Sequence, residues 1–290
     1  MSTRGYCGQM GSPGRESCLQ FAASTLFRSA CGAVLRRYDR FGQTSVRFFD
    51  MRMETLISGW IGTILCIALV KTLLAPTPAT SIAEGMAMAL PFLLLAAAPV
   101  AGFRLAAGRF PKGRISAQPI VRLARVGNWR NASKGDVARA VAGGSGGFLV
   151  SLLIGIILNV PVRAMEFLAS VPAINPGDPR WAHIIVLAMT VDVVVMTFLY
   201  MICFVMALRS VPLFPRFLAL AWVADMALQV GMANYLANTP GMPTSVAQPL
   251  FGLLMGNIKK VWISVMIWLP YLLVSKQVNL QFRHRVRSDA

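Results

Sequence analysis

Two carboxylic acids deep inside apolar stretches are the strongest candidates for chemistry in this sequence. Asp192 lies in the run Val-Asp-Val-Val-Val, and Asp225 lies in the next apolar stretch. If both stretches are helical, each carboxyl lies ~13 Å from the nearer end of its helix at about 1.5 Å per residue. An ionised side chain at that depth in a bilayer costs at least ~2.5–3.5 kcal/mol. Each Asp is therefore expected to be protonated, paired or in contact with water, as in a proton relay or a cation site.

Two amides accompany these acids. Gln229 follows Asp225 by four positions, so a helix presents both on one face. Asn159, near the end of an earlier apolar stretch, is also expected to face the interior of a bundle. The alternative is structural: a protonated Asp that hydrogen-bonds to a neighbouring helix stabilises the bundle without any reaction. The sequence leaves both interpretations open.

Motifs typical of enzymes and metal sites do not accompany the polar residues. The sequence contains no G-x-x-x-x-G-K-[ST] loop and no H-E-x-x-H pair, and the glycine-rich run 143–147 is best interpreted as a flexible linker. It has two His, and none of its five Cys forms a C-x-x-C pair, so neither a zinc site nor a disulfide framework is expected. We predict a protein that is not an enzyme and that holds no metal or cofactor.

The composition indicates a membrane protein. Hydrophobic residues make up 56% of the chain and charged residues only 13%, against about 25% charged residues in soluble domains. The net charge of +17 is typical of nucleic-acid binding, but here the Lys and Arg residues cluster beside apolar segments, where they anchor a membrane protein. We expect the lipid bilayer as partner and no nucleic acid. The sequence leaves open a membrane-protein partner or a homo-oligomer.

Six apolar runs predict an all-α polytopic bundle of about six transmembrane helices. The predicted spans are 57–75, 82–103, 146–162, 182–208, 217–236 and 261–275. Arg163 and Glu166, three positions apart just beyond the third span, are predicted to pair at the membrane interface. Pro240, Pro243 and Pro249 predict a loop before the last span.

The distribution of basic residues predicts the orientation. Six spans place both termini on one side of the membrane, and all but five Lys and Arg residues fall on that side. The exceptions are Lys71, Arg163, Arg180, Lys259 and Lys260. The positive-inside rule makes the termini cytoplasmic, in a bacterial cytoplasmic (inner) membrane.

The predicted organisation has four parts. Residues 1–50 are Arg-rich and lack an apolar run, so they are either a disordered tail or an extension ahead of a true start at Met51 or Met53. Residues 51–103 hold two spans, 104–145 form a basic cytoplasmic loop, and 146–290 form a unit of four spans. Within the loop, 119–126 is either an ordinary basic segment or a short element on the membrane surface.

Three motifs in the last four spans resemble those of a bacterial family. The chain has Gly-Gly-Phe-Leu at 146–149, Phe-Pro-Arg at 214–216 and Trp-Leu-Pro-Tyr-Leu-Leu-Val-Ser-Lys-Gln-Val-Asn-Leu-Gln-Phe at 268–282. Residues of about 143–287 thereby resemble the inner-membrane family named domain of unknown function 2569. The chain departs from that family's pattern at Phe148 (usually Trp), Gln277 (usually basic) and Gln281 (usually Thr). The resemblance implies a four-helix membrane unit with an inward C-terminus. It suggests no particular activity, because the function of that family is unknown.

The closing motif is interpreted as a membrane anchor. Trp268 and Tyr271 are expected at the inner boundary, Pro270 is expected to bend or end the helix, and Lys276 to contact headgroups. Beyond Lys276, alternating apolar and polar residues up to Phe282 predict a short extended or interfacial tail.

The residues predict two classes of function. The first is a non-enzymatic accessory or assembly role in the membrane. The alternative is a small-solute or proton-coupled transporter that uses Asp192 and Asp225. A carrier needs a titrating carboxyl in reach of water, whereas an assembly factor tolerates carboxyls that never change their protonation.

Overall fold

The computed structural model describes residues 44, 48–49, 51–111, 118–119, 128–142 and 148–288 of the 290-residue chain. Almost all of the predicted N-terminal tail, the linker at 143–147 and most of the segment 119–126 lie outside the described residues. Within them the helices are α1 (Met51–Leu73), α2 (Ile82–Arg109), α3 (Lys134–Ala142), α4 (Phe148–Ser170), α5 (Arg180–Leu208), α6 (Phe214–Ala237), α7 (Thr244–Val274) and α8 (Lys276–Arg283). Two short strands, β1 (Trp129–Asn131) and β2 (Arg285–Arg287), pair antiparallel.

Six of these helices, α1, α2 and α4 to α7, are long and apolar enough to cross a bilayer. The predicted all-α polytopic membrane bundle is therefore confirmed. Many large apolar side chains on these helices are exposed, Leu73 and Ile82 among them, as expected of surfaces that contact lipid. Because the number of spans is even, the chain enters and leaves the six-span bundle on the same side.

Helix α5 forms the centre of the bundle. It packs against α2, α4 and α6, and α7 packs against α6. Its sequence is apolar on every face, which is typical of a helix surrounded by other helices. Met196, Cys203 and Phe204 of α5 are completely buried, whereas α1 is the least buried of the six spans.

The contact between α2 and α5 requires a glycine. A Cβ at Gly102 of α2 would lie 2.6 Å from the carbonyl oxygen of Phe198 in α5. Gly102→Ala is therefore expected to destabilise the bundle by about 1–3 kcal/mol, because the two backbones must separate. Gly62→Ala is the matched control, since no atom lies within 4 Å of its added Cβ. Equal unfolding free energies for the two variants in detergent micelles would contradict this close packing.

Contacts between helix termini identify the two ends of the bundle. Arg209, just after α5, donates to the carbonyl oxygens of Ala107 (2.7 Å) and Phe110 at the end of α2. We call this the basic end; α1, α4 and α6 begin there, and α2, α5 and α7 end there. At the opposite end, Lys71 of α1 donates to the carbonyl oxygen of Val171, 2.7 Å away, just after α4.

Two helices are longer than the apolar runs that predicted them, and one prediction is wrong about a proline. Helix α4 continues beyond the run that ends at residue 162, as far as Ser170, and α7 begins at Thr244, well before the run that starts at residue 261. Pro249 therefore lies inside α7 and not in a loop. It is the sixth residue of the helix, and its missing N–H removes the backbone hydrogen bond to the carbonyl oxygen of Ser245.

The segment after α7 is a helix, so of the two predicted alternatives, an extended or an interfacial tail, the extended one is wrong. Ser275 caps α8, its hydroxyl accepting from the Val278 N–H at 3.5 Å. Val278, Gln281 and Phe282 are buried, and their spacing of three and four residues fits one face of a helix and not the alternation of a strand. The Phe282 ring lies 5.1 Å from that of Phe214 at the start of α6.

Candidate functional site

A buried guanidinium lies between two buried carboxylates at the centre of the bundle. Arg163 of α4 places Nη1 3.0 Å from Oδ2 of Asp192 in α5. Its Nη2 lies 2.5 Å from both carboxylate oxygens of Asp225 in α6. The three side chains, here called the Arg–Asp triad, are 7%, 6% and 0% exposed, in that order.

Three further polar side chains complete the hydrogen bonding of the triad. Asn159 Oδ1 accepts from Nε of Arg163 at 3.1 Å. Gln229 Nε2 donates to Oδ1 of Asp192 at 2.8 Å, and the Tyr200 hydroxyl donates to Oδ2 of Asp225 at 2.7 Å.

The structure thus brings together all four residues selected from the sequence: Asp192, Asp225, Gln229 and Asn159.

Helical spacing on two helices places these groups. Asn159 and Arg163 are four residues apart on α4, and Asp225 and Gln229 are four residues apart on α6, so each pair shares one face. Asp225 lies near the middle of the 24-residue α6, ~17 Å from either end at about 1.5 Å per residue. That position corresponds to the midplane of a hydrocarbon core about 30 Å thick.

The structure corrects the predicted role of Arg163. The expected interfacial pair of Arg163 with Glu166 is not formed; Glu166 instead pairs with Lys260 of α7. The reason is the length of α4, which continues to Ser170 and so keeps Arg163 inside the bundle. The four-residue spacing from Asn159 was the signal in the sequence that indicated this placement.

Tyr200 is a further residue of the site that the sequence did not indicate. It lies about two turns beyond Asp192 in a helix that is apolar on every face, and tyrosine is common in such helices for its ring alone. Only the packing of α5 against α6 shows that its hydroxyl reaches Asp225.

The charges of the triad do not balance when both acids are ionised. One guanidinium against two carboxylates leaves a net charge of −1, and burying an uncompensated charge is costly. With one carboxyl protonated the triad is neutral. The arrangement is therefore suited to hold one exchangeable proton, or a small cation in its place.

The amide of Gln229 offers an acceptor for such a proton. The side chain is completely buried, and its Oε1 has no hydrogen-bond partner among the described residues. A half-turn of the amide brings Oε1 toward Asp192, where it accepts the hydrogen bond of a protonated carboxyl. Gln229 is thus able to serve Asp192 in both protonation states.

A cleft reaches from the surface to Arg163 of the triad. It has a volume of about 230 Å³, lies between α4 and α7, and includes Arg163 and Tyr200 in its lining. Glu166 and Lys260 line the cleft about one helical turn nearer the opposite end, and their side chains are 27% and 56% exposed. The cleft therefore brings one buried charge of the triad, the guanidinium of Arg163, into reach of the surface.

The residues predicted to anchor the chain lie toward the basic end, and one of them, Trp268, also lines the cleft that reaches Arg163. The Trp268 and Tyr271 rings lie 5.0 and 5.2 Å from that of Phe148. Pro270 lies inside α7, which continues to Val274, so this proline does not end the helix. Lys276 is exposed at the start of α8.

Comparisons with known proteins do not identify the chain. No family model matches it, and no match is found among the curated proteins or the solved structures. The resemblance to the family named domain of unknown function 2569 stays a prediction. Among the described residues, no group of three or more His, Cys, Asp or Glu side chains could hold a metal ion.

Proposed function

We propose that the protein is a proton-coupled transporter of a small polar solute, with the Arg–Asp triad as its proton site. The observation that supports this most is the charge of the triad: two carboxylates share one guanidinium in the interior of a membrane bundle. A proton that enters or leaves such a site changes its net charge between 0 and −1. That change is the coupling that a carrier needs between a proton and a solute.

Asp192 is the proposed proton carrier, and Asp225 is the permanent counter-ion of Arg163. Asp225 accepts hydrogen bonds on both oxygens from Arg163 and one from Tyr200, and it is completely buried. Asp192 accepts a single, longer hydrogen bond from Arg163 and one from a neutral amide. The anion with fewer and weaker charge-assisted bonds is the one that protonates more readily.

The proton site is surrounded by charged groups on several helices. Arg163 reaches it from α4, Tyr200 from α5 and Asp225 from α6. The Glu166–Lys260 pair faces it across the cleft from α4 and α7. A solute that enters the cleft meets this exposed ion pair first and the triad afterwards.

A flux measurement tests the proposal. The purified protein is reconstituted into liposomes that contain a pH-sensitive dye, and small solutes (amino acids, carboxylates, amines and sugars) are added outside in turn. A carrier is expected to move protons only with its own solute class. Failure of every class to move protons, together with a stable protein partner that copurifies, would favour the accessory role.

The accessory or assembly role is the second candidate. It is favoured by the closure of the network: Nε, Nη1 and Nη2 of Arg163 all have acceptors within the bundle, so the cluster is able to act as a lock between three helices. In that case the triad holds the fold together and its protonation never changes. The two candidate functions therefore predict the same geometry. They differ in whether a carboxyl of the triad changes its protonation.

We further infer that the protein lies in a bacterial cytoplasmic membrane with its basic end in the cytoplasm. The concentration of Lys and Arg beside the termini supports this orientation. A C-terminal fusion to a reporter that is active only in the cytoplasm tests it, and an inactive fusion would reverse the orientation.

The three motifs that carry the family resemblance lie near one another in the structure. Phe148 of the opening motif contacts Trp268 and Tyr271 of the closing motif, and Phe214 of the middle motif contacts Phe282. Three segments that are far apart in sequence thus meet at the basic end. We propose on this basis that residues 143–287 form one unit of that family.

A further inference from the structure

A second group of charges lies at the basic end, far from the Arg–Asp triad. Arg216 lies in the first turn of α6, Arg283 at the end of α8 and Arg285 in β2. We call these residues the arginine cluster. We propose that the arginine cluster binds a phosphate-bearing anion at the membrane boundary. This inference does not depend on the proposed transport function.

Arg216 has a donor that lacks an acceptor. Its Nη2 atom is buried and has no hydrogen-bond partner among the described residues. A buried guanidinium N–H without an acceptor costs free energy comparable to a lost charge-assisted hydrogen bond. Such an atom is expected where a ligand supplies the acceptor.

Arg283 is buried against neutral acceptors. It is 5% exposed, and its Nη1 donates to the carbonyl oxygen of Leu272 at 2.8 Å and to Asn279 Oδ1 at 3.1 Å. Burial, together with the positive charges of Arg285 and Arg216, lowers the pKa of Arg283 to about 10. The cluster therefore concentrates like charges, and a bound anion would relieve their repulsion.

Specific contacts hold these arginines in place. The Phe214 and Phe282 rings, which pack against each other at a tilt of 36°, join the start of α6 to α8. Gln281 Nε2 donates to the hydroxyl of Ser210 at 2.6 Å, and Ser210 has a φ of +52°, a conformation that residues other than glycine seldom adopt. The cluster is thus built into a packed junction and does not consist of three freely moving surface side chains.

Phosphate is the anion that best matches this site. Guanidinium groups bind phosphate oxygens in a bidentate manner, and several arginines together neutralise its charge. Two sources supply such an oxyanion: the headgroup of an anionic phospholipid, and free phosphate in the cytoplasm. Because Arg216 lies in the first turn of a membrane-spanning helix, the headgroup lies at the right depth.

The test is a thermal-unfolding titration of the full-length protein in a neutral detergent. Phosphatidylglycerol, inorganic phosphate and chloride are added separately at matched ionic strength, and tryptophan fluorescence reports Tm. The variant is Arg216→Gln. The control is Arg109→Gln, which removes one positive charge from an exposed position at the same end.

Phosphate-bearing ligands are expected to raise Tm of the wild type and of Arg109→Gln, with an apparent affinity at least about tenfold weaker for Arg216→Gln. Without any anion, Arg216→Gln is expected to be no less stable than the wild type, because the substitution removes an unpaired buried donor. Stabilisation by phosphatidylglycerol alone identifies a lipid headgroup, and stabilisation by inorganic phosphate identifies a soluble anion. Equal responses of both variants, or no response to either phosphate source, would overturn the proposal.

Discussion

Arg163→Gln is expected to lower the free energy of unfolding by about 3–5 kcal/mol, one of the largest effects of any single substitution in this chain. The substitution leaves Asp192 and Asp225 buried without their shared cation, and removing one partner of a buried ion pair strands the remaining charge. Denaturant titration in detergent micelles measures the loss.

A second substitution separates this effect from a simple packing defect. Adding Asp225→Asn to Arg163→Gln is expected to recover part of the lost stability, because the double variant buries one carboxyl fewer. Arg104→Gln is the matched control: it breaks the ion pair with Glu54, whose side chains are 57% and 68% exposed, and is expected to change stability little. Equal losses for Arg163→Gln and Arg104→Gln would show that the triad does not stabilise the bundle.

Asp192→Asn is expected to abolish solute-dependent proton movement while leaving the fold intact. The substitution balances the charges of the triad, since Arg163 keeps Asp225 as its counter-ion. The free energy of unfolding is therefore expected to stay within about 1 kcal/mol of the wild type. Proton flux is expected to fall to the rate of protein-free liposomes, because the site no longer has a carboxyl that exchanges its proton.

Asp225→Asn is the contrasting variant. It removes the carboxylate that accepts hydrogen bonds from both Arg163 and Tyr200, so we expect a clear loss of stability. The two variants are isosteric with their parents and differ only in which acid is replaced. If Asp192→Asn proved the less stable of the two, or retained full proton flux, the assigned roles of the two acids would be wrong.

Much of the architecture was predictable because bilayer thickness constrains it. Long apolar runs of adequate length predicted the six spans, and the structure confirms an all-α bundle. The limits of α4 and α7 were less predictable. Polar residues such as Arg163 and Asn257 interrupt the apolar pattern of the sequence. They nevertheless lie inside helices, where each hydrogen-bonds to another side chain of its own helix.

The candidate site was predictable in part for the same reason. Asp192 and Asp225 are conspicuous because acids are rare at such depth, and Gln229 and Asn159 followed from their positions on the spans. Arg163, which contacts Asp192, Asp225 and Asn159, was placed at the interface because it lies at the end of an apolar run. Which side chains meet across helices depends on crossing and rotation, which hydropathy does not determine.

The structure of α8 and the position of the arginine cluster were also not predictable from the sequence pattern. The residues from Val278 to Phe282 alternate in polarity and also repeat with helical spacing, and only the cap at Ser275 and packing on Phe214 select the helix. Arg216 and Arg283 are far apart in sequence, and no pattern in the chain indicates that they meet.

Infrared difference spectroscopy of the carboxyl groups tests the central claim most directly. The protein in lipid is titrated from about pH 5 to about pH 10, a range above the ordinary pKa values of exposed Asp and Glu. We expect a protonated carboxyl band that disappears as pH rises. It is expected to be lost in Asp192→Asn, and also in Asp225→Asn, because Arg163 then has Asp192 as its only carboxylate partner and holds it ionised. A band that stays constant over the whole range, or no such band at any pH, would contradict an exchangeable proton on Asp192 and leave the triad a purely structural lock.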